Sequence, residues 1–249
     1  MKTMRAVWYL ALLGAACGGE LIGPGGDGSS SSGDGGRGDA SGHADGRGPD
    51  GALFAPRSGE ATYYAADGSG NCSFDPSPQD LLVAAINDAD YQGSLACGAC
   101  ALVDGPDGTV VVRIVDRCPE CSRGDLDLSS EAFSRIAELA RGRVPISWRY
   151  VACEVDGPVR YQFKEGSNQW WTAVQLRNTR YAVQSLEAET SSGFQSIQRT
   201  SYNYFVAEAG LGPGPYAFRI RDLLGHQLED QGIVFAEGQE VPGAGQFPP

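Results

Sequence analysis

Apolar and polar positions divide the chain into contrasting stretches. From Ala6 to Ala16 nearly every residue is apolar, with Lys2 and Arg5 before the run and small residues closing it at Cys17. A charged start, a short apolar run and a small-residue end predict a secretory signal peptide over residues 1–17, since the run is too short to span a bilayer. Residues 18–58 are mainly Gly, Ser, Asp and Pro. Such a segment has too little to bury to offset its ordering entropy, so it reads as a disordered tether.

After residue 58 the pattern becomes that of strands. Thr109–Val115 is β-branched almost throughout and predicts a buried strand, joined to Ala101–Val103 through a hairpin loop at Asp104–Gly108. Val144–Val151 predicts another strand. One helix is expected, with Ser129 as N-cap, Glu131 in its first turn, and Phe133, Ile136 and Ala140 on one face. The sum is a small barrel with a helical cover. Further on, Val174–Arg177 and Phe218–Arg221 alternate apolar with polar, separated by turns such as Glu165–Asn168 and Leu211–Pro215. That alternation predicts a β-sandwich.

Charge and cysteine sharpen the division. The 249 residues carry 19 basic and 31 acidic side chains, a net charge of −12. This field repels nucleic acid and anionic surfaces. Over residues 59–155 acidic residues outnumber basic ones 15 to 7, and over 156–249 only 10 to 7. Cys72, Cys97, Cys100, Cys118, Cys121 and Cys153 all lie in the first of these halves. A domain boundary at Asp156-Gly157-Pro158 fits both shifts. Only two histidines are present, and His43 lies in the tether, which argues against a Ser-His-Asp hydrolase or a multi-histidine metal site.

Cys97-x2-Cys100 followed by Cys118-x2-Cys121 has the spacing of a zinc ribbon. Export to an oxidising compartment and an even count of six favour three disulfides and no metal. Six cysteines allow 15 connectivities, and spacing alone does not choose among them.

Two carboxylates and a group of aromatics stand out. Asp116 and Asp127 flank the loop between the long strand and the helix. Asp127 alternates with Leu126 and Leu128, so it points away from the core. A carboxylate there can bind sugar hydroxyls, act as a general acid, or simply favour the helix N-terminus. That last position lowers a pKa and works against a catalytic acid. In the second half Trp170 and Trp171 follow a turn, and Tyr202, Tyr204 and Phe205 lie on a later segment. Exposed rings stack on the C–H faces of sugars, whereas buried ones fill a sandwich core.

Taken in order, Gly59–Tyr64, Val115-Asp116, Gly124–Ser129, Lys164–Trp171, Ser201–Asn203 and Gln246–Pro248 resemble the bacterial expansins over residues 59–249. The resemblance implies a mainly β chain, with a double-psi β-barrel over 59–155 and an immunoglobulin-like β-sandwich over 156–249. The sandwich is of a carbohydrate-binding-module kind. The implied function is loosening of cellulose networks without hydrolysis, cofactor or metal. Thr62, Asp116 and Asp127 would form the barrel groove, and Trp170, Trp171 and Tyr202 the platform for cellulose. Lys164 would lie beside the platform, with Tyr63 as a further substrate contact.

The segment Ser94–Cys100 resembles plant expansins and implies the pairs Cys72–Cys97, Cys100–Cys153 and Cys118–Cys121. Cys118 stands where many bacterial members have a groove tyrosine. The acidic balance implies a preference for cellulose or neutral hemicellulose over acidic wall polymers. Expected alongside are a monomer, secretion or lipidation at Cys17, and attachment to a bacterial cell surface (the outer membrane) only through that lipid.

Two other functions fit the residues. One is an endoglucanase related to glycoside hydrolase family 45, with Asp127 as acid and Asp67 as base. Asp67 also reads as a turn aspartate in Ala66–Gly70. The other is a purely adhesive glycan-binding lipoprotein.

Overall fold

The computed structural model describes residues 55–249, so the signal segment, Cys17 and most of the tether lie outside the described residues. Six strands form a closed barrel: β1 (Arg57–Tyr64), β2 (Val83–Asn87), β3 (Cys100–Gly105), β4 (Gly108–Cys118), β5 (Leu126–Ser129) and β6 (Val144–Val151). Their order is β1-β5-β2-β4-β3-β6. The β1–β5 and β2–β4 pairs are parallel and the others antiparallel. Alternation points Ala61, Val103, Ile114, Leu126 and Trp148 into one core.

β1 begins two residues inside the stretch read as tether. Arg57 pairs with Trp148 in the ladder. Its guanidinium lies 4.9 Å from the Trp148 ring centre and 5.0 Å from that of Tyr150, a favourable cation–π placement.

The expected helix is shorter than its apolar spacing predicts. It is a single turn, α2 (Ser130–Phe133), following α1 (Asp88–Tyr91) in chain order. Ser129 caps it, its side chain accepting from the Ala132 amide. Phe133 and Ile136 are buried as expected, but Ala140 is exposed. The Ile136 carbonyl accepts from the Asp107 amide of the β3–β4 hairpin, so the backbone leaves the helical path to satisfy the barrel.

Nine further strands form two sheets: β7 (Arg160–Phe163), β8 (Thr172–Arg177), β9 (Val183–Thr190), β10 (Gly193–Ser196), β11 (Gln198–Arg199), β12 (Phe205–Ala207), β13 (Tyr216–Asp222), β14 (Gln227–Ile233) and β15 (Glu240–Pro242). One sheet has the order β10-β9-β13-β14 and the other β11-β12-β8-β7-β15. Tyr161, Phe163, Val174, Leu186, Phe218 and Ile220 from both sheets make the shared core.

In β8 the expected alternation of buried and exposed positions is absent, and Thr172–Leu176 are all buried. The polar side is covered by the barrel: the Gln175 amide donates to the Cys72 and Ser73 carbonyls at 2.8 and 3.2 Å. Nearby, Arg177 meets Asp75 at 2.6 Å. The half-buried Arg199 donates to the carbonyls of Ser94 and Val183 and to Asn203 Oδ1. Burial lowers its pKa to about 10.

The disulfides are Cys72–Cys97, Cys100–Cys153 and Cys118–Cys121.

Candidate functional site

A groove on the barrel starts from the parallel pair β1–β5, where Thr62 lies opposite Asp127. Their neighbours Ala61, Leu126 and Leu128 are fully buried, so alternation turns Thr62 and Asp127 to the other face. Thr62 Oγ1 donates to Asp127 Oδ1 at 2.6 Å. Burial pushes the Asp127 carboxyl above the ordinary carboxylate range. The charges of Glu120 and Asp116 act in the same direction, while the Thr62 hydroxyl and Arg143 oppose it.

The helix-dipole argument from sequence therefore gives the wrong sign. Asp127 lies in a strand before a one-turn helix whose Ala132 amide is already taken by Ser129, and desolvation wins. A cavity of about 320 Å³ opens here, lined by Thr62, Asp127, Glu120, Arg143 and the Cys118–Cys121 disulfide.

Asp116 lies further along the barrel on β4. Its Oδ1 accepts from the Asn71 and Arg117 amides at 2.6 and 2.8 Å. Gly70 permits this approach, because a Cβ there would stand 2.4 Å from Asp116 Cβ. Tyr64, two residues beyond Thr62 on the same side of β1, was not singled out from sequence. Its hydroxyl is buried and has no hydrogen-bond partner among the described residues. Burial, followed by the charges of Asp116, Asp127 and Asp67, pushes its pKa well above the usual phenol value. The i, i+2 spacing from Thr62 was the available signal.

Tyr63 is turned away from this face. Its ring packs on Phe133 at 4.9 Å between centres, so the structure does not bring it together with Thr62 and Asp127. Asp67 occupies a tight turn, its Oδ1 accepting from the Ser69 amide and hydroxyl at 2.8 and 2.6 Å. These bonds lower its pKa.

The aromatics form a second group. Asn168 organises them, its Oδ1 accepting from the Trp170 and Trp171 amides at 2.9 and 3.2 Å. This asparagine turn places both tryptophans at the start of β8, where Trp170 is 71% exposed and Trp171 half-buried. Gly210 packs beneath them at φ +71°, where a Cβ would collide with Gln169 O and Trp170 Cα. Tyr202 is exposed and its ring lies 6.0 Å from that of Tyr204. Lys164 Nζ lies 5.8 Å from the Tyr204 ring centre. Asn168 and Gly210 are the supporting residues that the sequence reading did not single out, whereas Tyr204 was among the aromatics it named.

Asn71 joins the two groups. Its backbone amide holds Asp116, while its side-chain amide donates to Tyr91 Oη at 2.7 Å and to Ser201 O at 2.9 Å. Tyr91 Oη also donates to Ser201 O at 2.8 Å. Ser201 immediately precedes Tyr202, so groove and aromatics share one hydrogen-bonded scaffold.

A family model described as lytic transglycolase matches residues 83–148, within the barrel. Expansin-YoaJ of Bacillus subtilis is 38% identical over 200 residues, covering 76% of this chain and 86% of that protein. The crystal structure of the apo expansin of Clavibacter michiganensis superposes with a TM-score of 0.73 at 32% identity, covering 78% of this chain and 99% of the other. A mutant of that expansin, solved in complex with cellohexaose, superposes at 0.74 with the same identity and coverage. Barrel, paired sheets and sequence agree across this span: the chain belongs to the bacterial expansin family.

Proposed function

We propose that the protein binds cellulose along Trp170, Trp171 and Tyr202 and loosens contacts between glucan chains without cutting them. The observation that carries this reading is the Asn71 link, which sets Asp116 of the barrel and the exposed aromatics in one framework. The cellohexaose complex of the Clavibacter expansin supports the ligand class. In this reading residues 59–155 are the groove-bearing barrel domain, and 156–249 form an immunoglobulin-like carbohydrate-binding module. The aromatic rings dock the chain on a glucan, Lys164 supports them, and Thr62, Asp116 and Asp127 exchange hydrogen bonds with sugar hydroxyls. Each exchange is nearly neutral in free energy, because bonds are swapped rather than gained. No cofactor or energy source enters.

The protein acts outside the cell as a monomer, secreted or held to the outer membrane by a lipid on Cys17. Its net charge of −12 directs it to cellulose or neutral hemicellulose rather than to acidic wall polymers.

One observation favours the hydrolytic alternative. The raised pKa of Asp127 suits a general acid, and Glu120 lines the same cavity. Asp67 is a poor base, since the Ser69 bonds hold its carboxylate at a lowered pKa. The deciding experiment measures creep of filter paper and release of reducing ends in parallel, with the protein and with Asp127→Asn and Glu120→Gln. Creep without new reducing ends, lost in Asp127→Asn, is the expected result. Reducing ends that require Asp127 and Glu120 would make the protein an endoglucanase. Binding without creep in the unsubstituted protein would make it an adhesive module.

A further inference from the structure

We propose that a cavity beside the aromatic platform is a subsite for a neutral sugar pendant from a β-glucan backbone, so that branched glucans bind more tightly than unbranched ones. The inference rests on the platform reading above and adds a substrate class to it. The cavity measures about 700 Å³ and shares Trp171 and Tyr202 with the platform, so a glucan lying on those rings passes its mouth. An unbranched chain stacked there leaves the cavity unused.

The lining matches an uncharged sugar. Gln195 and Ser196 of β10 and Gln198 of β11 contribute neutral polar groups, and Glu208 contributes a carboxylate. The side chains of Gln195, Ser196 and Glu208 have no hydrogen-bond partner among the described residues. Gln198 uses only its Nε2, donating to Arg199 O at 3.3 Å. By contrast, the Thr190 and Thr200 hydroxyls on the same wall are already engaged, with Gly193 O and Tyr204 O. Ala188, Val206 and Leu211 supply an apolar surface for C–H groups. Amide and carboxylate acceptors and donors over an apolar floor suit a ring of hydroxyls. Glu208 is the only charged residue in the lining, so a uronic acid branch would meet like charge without a counter-ion.

The test is calorimetric titration of the full chain with three oligosaccharides of equal backbone length. One is an unbranched β-1,4-glucan, one carries neutral pentosyl branches, and one carries uronic acid branches. The expected result is about tenfold tighter binding of the neutral branched ligand than of the unbranched one, with no gain for the acidic one. Gln195→Trp, which puts a bulky ring into the cavity, should shrink the gap while unbranched binding persists, and Gln195→Ala should narrow it. Equal affinity for branched and unbranched ligands, or a gap undiminished by Gln195→Trp, would overturn the subsite and leave the platform reading intact. Binding of none of the three would overturn both.

Discussion

The Thr62 hydroxyl and the Asp127 carboxylate form a register pair across two parallel strands, joined at 2.6 Å. The bond partly offsets the burial that raises the Asp127 pKa. A carboxyl whose pKa is higher in the folded state than in the unfolded one contributes stability that is fully present below the unfolded pKa. That contribution is lost as pH rises through the folded pKa. Thr62→Val removes a donor that bonds the charged form more strongly than the neutral one, so its cost should be about 1–2 kcal/mol at pH 7 and smaller near pH 3. Urea denaturation at the two pH values measures this, and an equal loss at both would contradict it.

Tyr64→Phe removes a buried hydroxyl that has no partner among the described residues. Relief of that desolvation should raise stability by about 0.5–1 kcal/mol. If the hydroxyl meets a glucan that enters the groove, creep activity should fall at the same time. A higher denaturation midpoint with unchanged creep would assign Tyr64 a packing role alone.

Asn168→Ala deletes the acceptor that holds the Trp170 and Trp171 amides. The rings remain but lose their fixed orientation. Cellulose affinity should drop about five- to tenfold, with a stability cost of about 1 kcal/mol. Pull-down isotherms on microcrystalline cellulose would read the first effect and thermal melting the second.

Arg199 satisfies acceptors from the barrel and from the paired sheets, at Ser94 O, Val183 O and Asn203 Oδ1. Arg199→Ala leaves them unpaired in a buried place and should cost about 2–4 kcal/mol. Calorimetry is the check, and a melting temperature unchanged within error would refute the role.

The three disulfides should differ in worth. Cys100–Cys153 closes a separation of 53 residues and Cys118–Cys121 one of 3. Loop-closure entropy assigns roughly 4 kcal/mol to the first and about 2 to the second. The double replacement Cys118→Ser/Cys121→Ser should therefore fold, yet free the rim of the 320 Å³ cavity. Its creep activity should fall more than its stability does.

Much of the fold was legible because its signals are local. The β-branched run at Thr109–Val115 and the alternation at Phe218–Arg221 became strands β4 and β13. Helix length was not legible, because the Asp107 amide that takes the Ile136 carbonyl comes from a distant hairpin. The burial of Gln175 was hidden for the same reason, as its partners are the Cys72 and Ser73 carbonyls. In the site, Asp127 could be singled out through its alternation with two leucines. The direction of its pKa could not, since burial is a property of the assembled groove. Asn71 and Asn168 act through side-chain amides bonded to particular partners and Gly210 through a close backbone approach, and residue type alone announces none of these.

The hydrogen-bonded run from Asp116 through Asn71 to Ser201 also sets a length. With both ends pinned, and if groove and rings both meet the glucan as proposed, the distance between them works as a ruler laid along the polysaccharide. A fragment shorter than that ruler touches one end at a time and gains nothing from the other. A longer chain engages both, the second contact arriving at high effective concentration. Affinity should therefore rise in a step with chain length, and pulling on a bound glucan should load the groove directly, without slack between the two ends.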